Sequence, residues 1–124
     1  MRYGRLDDAL RDVDAACAKY QSDPRIYARF RVLKAHVLLL RGSYNDALAL
    51  LNPDLPPDLA DSEVAVHRFM VQGLVYTFLQ KYDQAEKPLS KAEALARSIG
   101  SPFLADTKQS QGILQIMLGH FQEA

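Results

Sequence analysis

The chain is poor in the residues that carry covalent staples or catalysis. A single cysteine, Cys17, excludes an intrachain disulfide and any multi-cysteine metal site. It lies among alanines in a helical pattern, as a small packing residue would. Tryptophan is absent, and histidine occurs three times, at His36, His67 and His120. Neither sign of charge is in excess: 15 basic and 15 acidic residues, interspersed, give a formal net charge of zero. Without a lysine or arginine run, no nucleic-acid footprint and no anchor to an anionic membrane is expected. No apolar run approaches the roughly 20 residues of a spanning helix, and Val37-Leu38-Leu39-Leu40 is far too short. Charges fill the first turns from Arg2 to Asp14, so no signal-peptide core is present. These absences lead to a cytoplasmic expectation. No glycine-rich phosphate loop occurs, and no Ser/His/Asp or Cys/His arrangement stands out. The 124 residues suit one domain with a modest core.

What the chain does have is an internal period. Arg41-Gly42-Ser43-Tyr44-Asn45-Asp46-Ala47-Leu48-Ala49-Leu50-Leu51 joins a glycine helix stop to a new helix, in which a small residue and a large apolar one lie four apart on one face. Gln80-Lys81-Tyr82-Asp83-Gln84-Ala85-Glu86-Lys87-Pro88-Leu89 repeats it, with Gln80 in place of the glycine. Gly4 to Val13 is an earlier copy. Gly119-His120-Phe121-Gln122-Glu123-Ala124 is a fourth, cut off at its alanine. The alanines stand at 9, 47, 85 and 124, in steps of 38, 38 and 39. A second series of small residues, Ala35, Gly73 and Gly112, steps by 38 and 39 in register with the first. A fixed period of this length signals a helical repeat array.

Taken in order, Leu6, Leu10, Val13, Cys17 and Tyr20 form the apolar stripe of a first helix over about 6–20. Ser22-Asp23-Pro24 supplies a capping side chain and then proline at the first helical position. A second helix is therefore expected over 24–41, ended by Gly42. A short third one over 44–51 is broken by Asn52-Pro53. The stretch 52–60 carries three prolines and is the one real loop. Helices are then predicted over 62–80, 82–99 and 102–118, with a bend near Gln84 because Pro88 removes a backbone donor.

These residues resemble the tetratricopeptide repeat, a helix pair with the pattern aromatic-x2-Leu-Gly-x2-Tyr, then Ala-x3-Phe, then Pro. Phe69-Met70-Val71-Gln72-Gly73-Leu74-Val75-Tyr76 supplies the aromatic, the glycine and the tyrosine, with Gln72 for the leucine. Ala85 and Leu89 supply the second half. Arg31, Lys34, Lys108 and Gln111 depart from the pattern where apolar residues belong. The stretch from Ala94 to Pro102 resembles, more loosely, the tetratricopeptide arms of large bacterial signalling proteins, such as CHAT-domain proteins and ATPase-type transcription regulators. The fold implied is all-α: an α-solenoid of stacked antiparallel helix pairs, with about six helices plus a truncated seventh. One domain over 1–124 would hold a half repeat (1–21), repeats over about 22–59 and 60–99, and a truncated repeat (100–124). Gly73, Ala35 and Gly112, with the alanines at 9, 47 and 85, would let paired helices approach closely, and Leu51, Leu89 and Val13 would fill the gap. Both ends lack a polar capping repeat, which points to a fragment of a longer protein. Leu6, Leu10, Val13 and Tyr20 at one end and the 113–118 stretch at the other would stay partly uncovered, so self-association through the ends is expected.

No catalytic, cofactor or metal site is expected. Shifted by one period, His67 aligns with Arg29, seven residues from His36, so the two histidines fall roughly 10 Å apart along the helix axes, too far to share a metal. Asp7, Asp8, Asp12 and Asp14 form a mostly solvated acidic face. Tyr44, Tyr82 and Phe121 are packing residues. What remains is a surface. The resemblance puts the first helix of each pair on a concave side, and periodicity selects Arg29, Val32, His36 and Leu39, then His67, Met70, Leu74 and Thr77, then Asp106, Gln109, Ile113 and Ile116. Some of these apolar residues face the core on the alternative reading. Where family members hold a peptide carboxylate with lysine, asparagine and arginine, this chain has Val32, Met70, Leu74, Ile113 and Gln109, so no carboxylate clamp carries over. The expected function is a non-enzymatic scaffold module that binds a protein or peptide, or another domain of its own chain, through a largely apolar groove. The alternatives are a peptide-sensing domain that switches a fused effector, and an enzyme with an unrecognised site.

Overall fold

The computed structural model describes residues 2–123, with side chains for residues 4–119. The described chain is all-helical and without strands. Its elements are α1 (Arg2–Lys19), α2 (Pro24–Arg41), α3 (Tyr44–Leu51), α4 (Glu63–Phe78), α5 (Tyr82–Ile99) and α6 (Leu104–Glu123), with one 3-10 turn, Pro57–Leu59, in the loop after α3. Helix α4 lies centrally, packed against α2, α3, α5 and α6, while α1 packs against α2.

Local signals place the inner boundaries. The Asp23 carboxylate accepts hydrogen bonds from the backbone of Arg25 and Ile26 at 3.2 and 3.3 Å, satisfying donors that the first turn leaves free. At the other end of α2, Gly42 turns left-handed, with φ +86°. Its N–H donates to Leu39 at 3.0 Å, and that of Ser43 donates to Leu38 at 2.8 Å. The same turn recurs 38 residues later. The N–H of Gln80 donates to Thr77 at 3.0 Å, and that of Lys81 donates to Tyr76 at 2.9 Å. Gln80 takes the left-handed conformation with φ +63°, although its Cβ makes that costly. The substitution of glutamine for glycine in the repeat thus keeps the backbone path.

The outer ends depart from expectation. Helix α1 starts at Arg2 and passes through Gly4, and α6 passes through Gly119 to Glu123, so no separate seventh helix begins there. A glycine cap of this kind turns left-handed, and among the described residues those with positive φ are Gly42, Gln80 and Gly100. His120, Phe121 and Ala124, which complete the fourth copy, lie outside the residues whose side chains are described. Helix α6 begins two residues later than expected, after a turn at Pro102-Phe103, and α4 ends two residues earlier, at Phe78. Helix α5 is continuous through Pro88.

The core is organised by the small residues. Ala35, Ala47 and Ala85 are fully buried, with Leu51 and Leu89 alongside. A Cβ built on Gly73 would sit 2.4 Å from Leu89 Cγ, so only glycine permits the approach of α4 to α5. Gly112 belongs to the same series, but a Cβ there would meet nothing within 4 Å, and among the described residues no helix covers it. Val13 is buried, while Leu6, Leu10 and Tyr20 are half-buried, Tyr20 by stacking on Phe30 with ring centroids 5.7 Å apart. The strip on α1 is thus partly uncovered at Leu6, Leu10 and Tyr20, and Val13 alone is closed off.

Three of the four residues that break the tetratricopeptide pattern make polar bonds to neighbouring segments. Arg31 donates to the Pro53 carbonyl at 3.1 Å, Lys34 pairs with Asp14 at 2.6 Å, and Gln111 donates to Glu93 at 3.0 Å. Asp7 likewise reaches Arg41 at 3.1 Å. The acidic face of α1 is thus partly bridged to α2 rather than merely solvated.

Candidate functional site

Of the twelve residues selected by periodicity, Val32, Leu39, Met70 and Thr77 are buried, none more than 5% exposed. They form core, not groove floor: a stripe repeating at three and four fixes which residues share a face, and here that face turns inward. Thr77 can be buried because its hydroxyl donates back to the Gly73 carbonyl at 2.8 Å. His36, His67, Leu74 and Ile113 are half-buried, and Leu74 packs on the core. Arg29, Asp106, Gln109 and Ile116 are exposed.

The structure overturns the expected separation of the histidines. His36 Nδ1 and His67 Nε2 are 2.8 Å apart, a hydrogen bond between α2 and α4. The ring centroids are 5.0 Å apart and the planes meet at 68°. Counting along the axes compared backbone heights and left out the length and direction of two imidazole side chains reaching towards each other between neighbouring helices. The other face of His67 stacks on Phe103, centroids 4.8 Å apart and planes 14° from parallel. Residues from α2, α4 and the entry to α6 therefore meet at one point.

Burial holds both rings neutral. Desolvation, with a smaller contribution from the neighbouring His36, lowers the His67 pKa to about 4. Desolvation also lowers that of His36, opposed by the negative charge of Asp106. At neutral pH one imidazole donates its single N–H and the other accepts, so each ring satisfies the other.

Beside this bridge lies an open cleft of about 300 Å³, lined by Arg29, Leu33, Glu63, Val64, His67 and Phe103. Its rim carries one cation and one anion, and its floor is apolar and aromatic. Periodicity had marked only Arg29 and His67. Leu33 lies one position away from the chosen stripe, whereas Glu63, four before His67, and Phe103, three before Asp106, continue the stripes beyond the residues chosen. A larger cleft of about 750 Å³ lies between α1 and α3 over α2. Three of its four charged residues, Asp14, Lys34 and Arg41, are engaged in ion pairs within and beside it, and Asp46 is the fourth.

Other chemistry has little footing. Among the described residues no group of three or more His, Cys, Asp and Glu side chains is placed to hold a metal ion. Burial pushes the Cys17 thiol pKa up, away from thiolate reactivity. No helix among the described residues is long and apolar enough to cross a membrane. Comparison with family models, with curated proteins and with solved structures finds no match.

Proposed function

We propose that the chain is a tetratricopeptide-like stack of helix pairs with no catalytic activity, which binds a segment of another protein or of its own chain. The 38-residue recurrence of the turn hydrogen bonds at Gly42 and Gln80 supports the repeat reading. The observation that carries the binding reading is the cleft shared by α2, α4 and the entry to α6. Leu33, 42% exposed at its edge, is a large apolar side chain on view beside a charged rim. An apolar floor between Arg29 and Glu63 suits a short segment with one apolar anchor and flanking charges of both signs. The non-enzymatic part is supported by the histidine of the cleft: its Nε2 is taken by His36 and its ring face by Phe103.

The test is selection from a displayed peptide library against the whole chain, followed by affinity measurements with Leu33→Glu and Arg29→Glu. Enriched peptides should carry an apolar anchor, and Leu33→Glu should abolish their binding while the melting temperature holds. Peptides that bind both variants as well as the parent, or no enrichment at all, would overturn the assignment of this cleft. Leu74 is a poorer probe, because it packs on the core, and a charge there would lower stability as well as binding.

A further inference from the structure

Among the described contacts between α2 and α4, the His36–His67 bond is the one made by two groups that can both gain a proton. Its logic differs from that of an ion pair. Two neutral imidazoles offer one donor and one acceptor to each other. One added proton leaves a donor and an acceptor, so the bond survives. A second added proton makes both nitrogens donors, and the bond cannot exist. The first proton belongs on His36, because the negative charge of Asp106 acts on that ring. The second must go onto His67, with one face against Phe103 and a charged His36 beside it. The charged groups around the pair are Arg29 on α2, Glu63 on α4 and Asp106 on α6. Of these, Asp106 is the one that acts on the pair, favouring the first proton on His36.

We propose that His36 and His67 form an acid-released clasp between α2 and α4, which stays closed through the first protonation and parts at the second. When it parts, two like charges face each other across the joint, and the cleft beside His67 loses the wall that the bond held in place. The clasp stands on the geometry of the bridge alone; that its release uncovers a binding surface rests on the function proposed above.

The experiment follows the imidazole nitrogens by NMR, together with amide hydrogen exchange over α2, α4 and α5, between about pH 7 and about pH 3. Two titration steps are expected, with the coupling across the bond persisting through the first and vanishing at the second. After correction for intrinsic exchange rates, protection at the α2–α4 joint should fall about tenfold more than in α5, the factor that one unit of pKa difference supplies. In His36→Gln, which cannot titrate, the joint and α5 should lose protection in parallel. His67→Phe keeps the stack on Phe103 and should behave likewise, so the idea remains testable if one variant folds poorly. Loss of the coupling at the first step, independent titration of both rings near the free-histidine value, or the same drop at the joint in parent and variants would overturn it. None of these readouts involves a partner, so failure of the clasp and failure of the binding reading can be told apart.

Discussion

Helix α4 meets α5 through a glycine and meets α2 through a histidine. On the α5 side, Gly73 has no side chain and Leu89, 1% exposed, fills the space against it. Such a contact is indifferent to pH and intolerant of size. On the α2 side, His67 and His36 share a hydrogen bond beside an open cleft, a contact tolerant of size and sensitive to protons. Both joints are backed by buried core, since Val32, Ala35 and Leu39 of α2 lie in one cluster with Val66 and Met70 of α4, and the second joint opens to the surface at its histidine edge. The contrast thus concerns that edge, where α4 meets α2 through groups that titrate.

Substitutions can break this contrast. The largest effect belongs to the glycine joint. Leu89→Ala should cost about 2–5 kcal/mol in urea unfolding, as expected for a fully buried leucine. Gly73→Ala should cost about 1–3 kcal/mol alone, because the new methyl group overlaps Leu89. In the Leu89→Ala background it should cost clearly less, and a simple sum of the two losses would refute the direct contact.

The histidine joint should respond to acid instead. The His67 pKa is lowered in the fold from 6.5 to about 4, so its stabilisation is complete above the unfolded value and is lost as pH falls from about 6.5 towards 4. The loss should reach about 2–3 kcal/mol, and His67→Phe should flatten the profile over this window. Unfolding free energies at several pH values check it; an unchanged slope in the variant would remove His67 as the cause.

The turns give a finer comparison. Gln80 holds the left-handed conformation that Gly42 adopts freely, so Gln80→Gly should stabilise the chain by about 1 kcal/mol, and Gly42→Gln should cost a similar amount. Equal melting temperatures for parent and variants would mean that the turn costs nothing. The smallest effect is expected at Leu33, where exposure should keep the stability change of Leu33→Glu within about 0.5 kcal/mol.

Much of the helix plan was legible in the sequence. Asp23-Pro24, Gly42 and Asn52-Pro53 are local signals with local mechanisms, and the helices they bound run as expected. Gly4 and Gly119 carry the same letter and remain helical, because the letter permits a stop without imposing one. The site was less legible. Val32, Leu39, Met70 and Thr77 share a stripe with residues that do reach the surface, and spacing alone does not say which side of a stripe is inward. The histidine bridge depends on side-chain reach between helices, which a comparison of backbone heights omits. Phe103, three before Asp106, continues the last stripe, but the choice of residues began at Asp106.

The loop from Asn52 to Asp61 looks in sequence like the place where the chain would be cut. In the structure Arg31 and Arg68 donate to the carbonyls of Pro53 and Leu51 at 3.1 and 2.9 Å, and Arg25 holds Asp58 at 3.0 Å. A protease must draw several residues of extended chain into its active site, and here doing so means pulling three guanidinium groups from their partners past Pro53, Pro56 and Pro57. The longest connection of this molecule is thus among its less digestible segments, and nicking should begin instead at the short exposed turn of Gln21 and Ser22, which carries no such fastening.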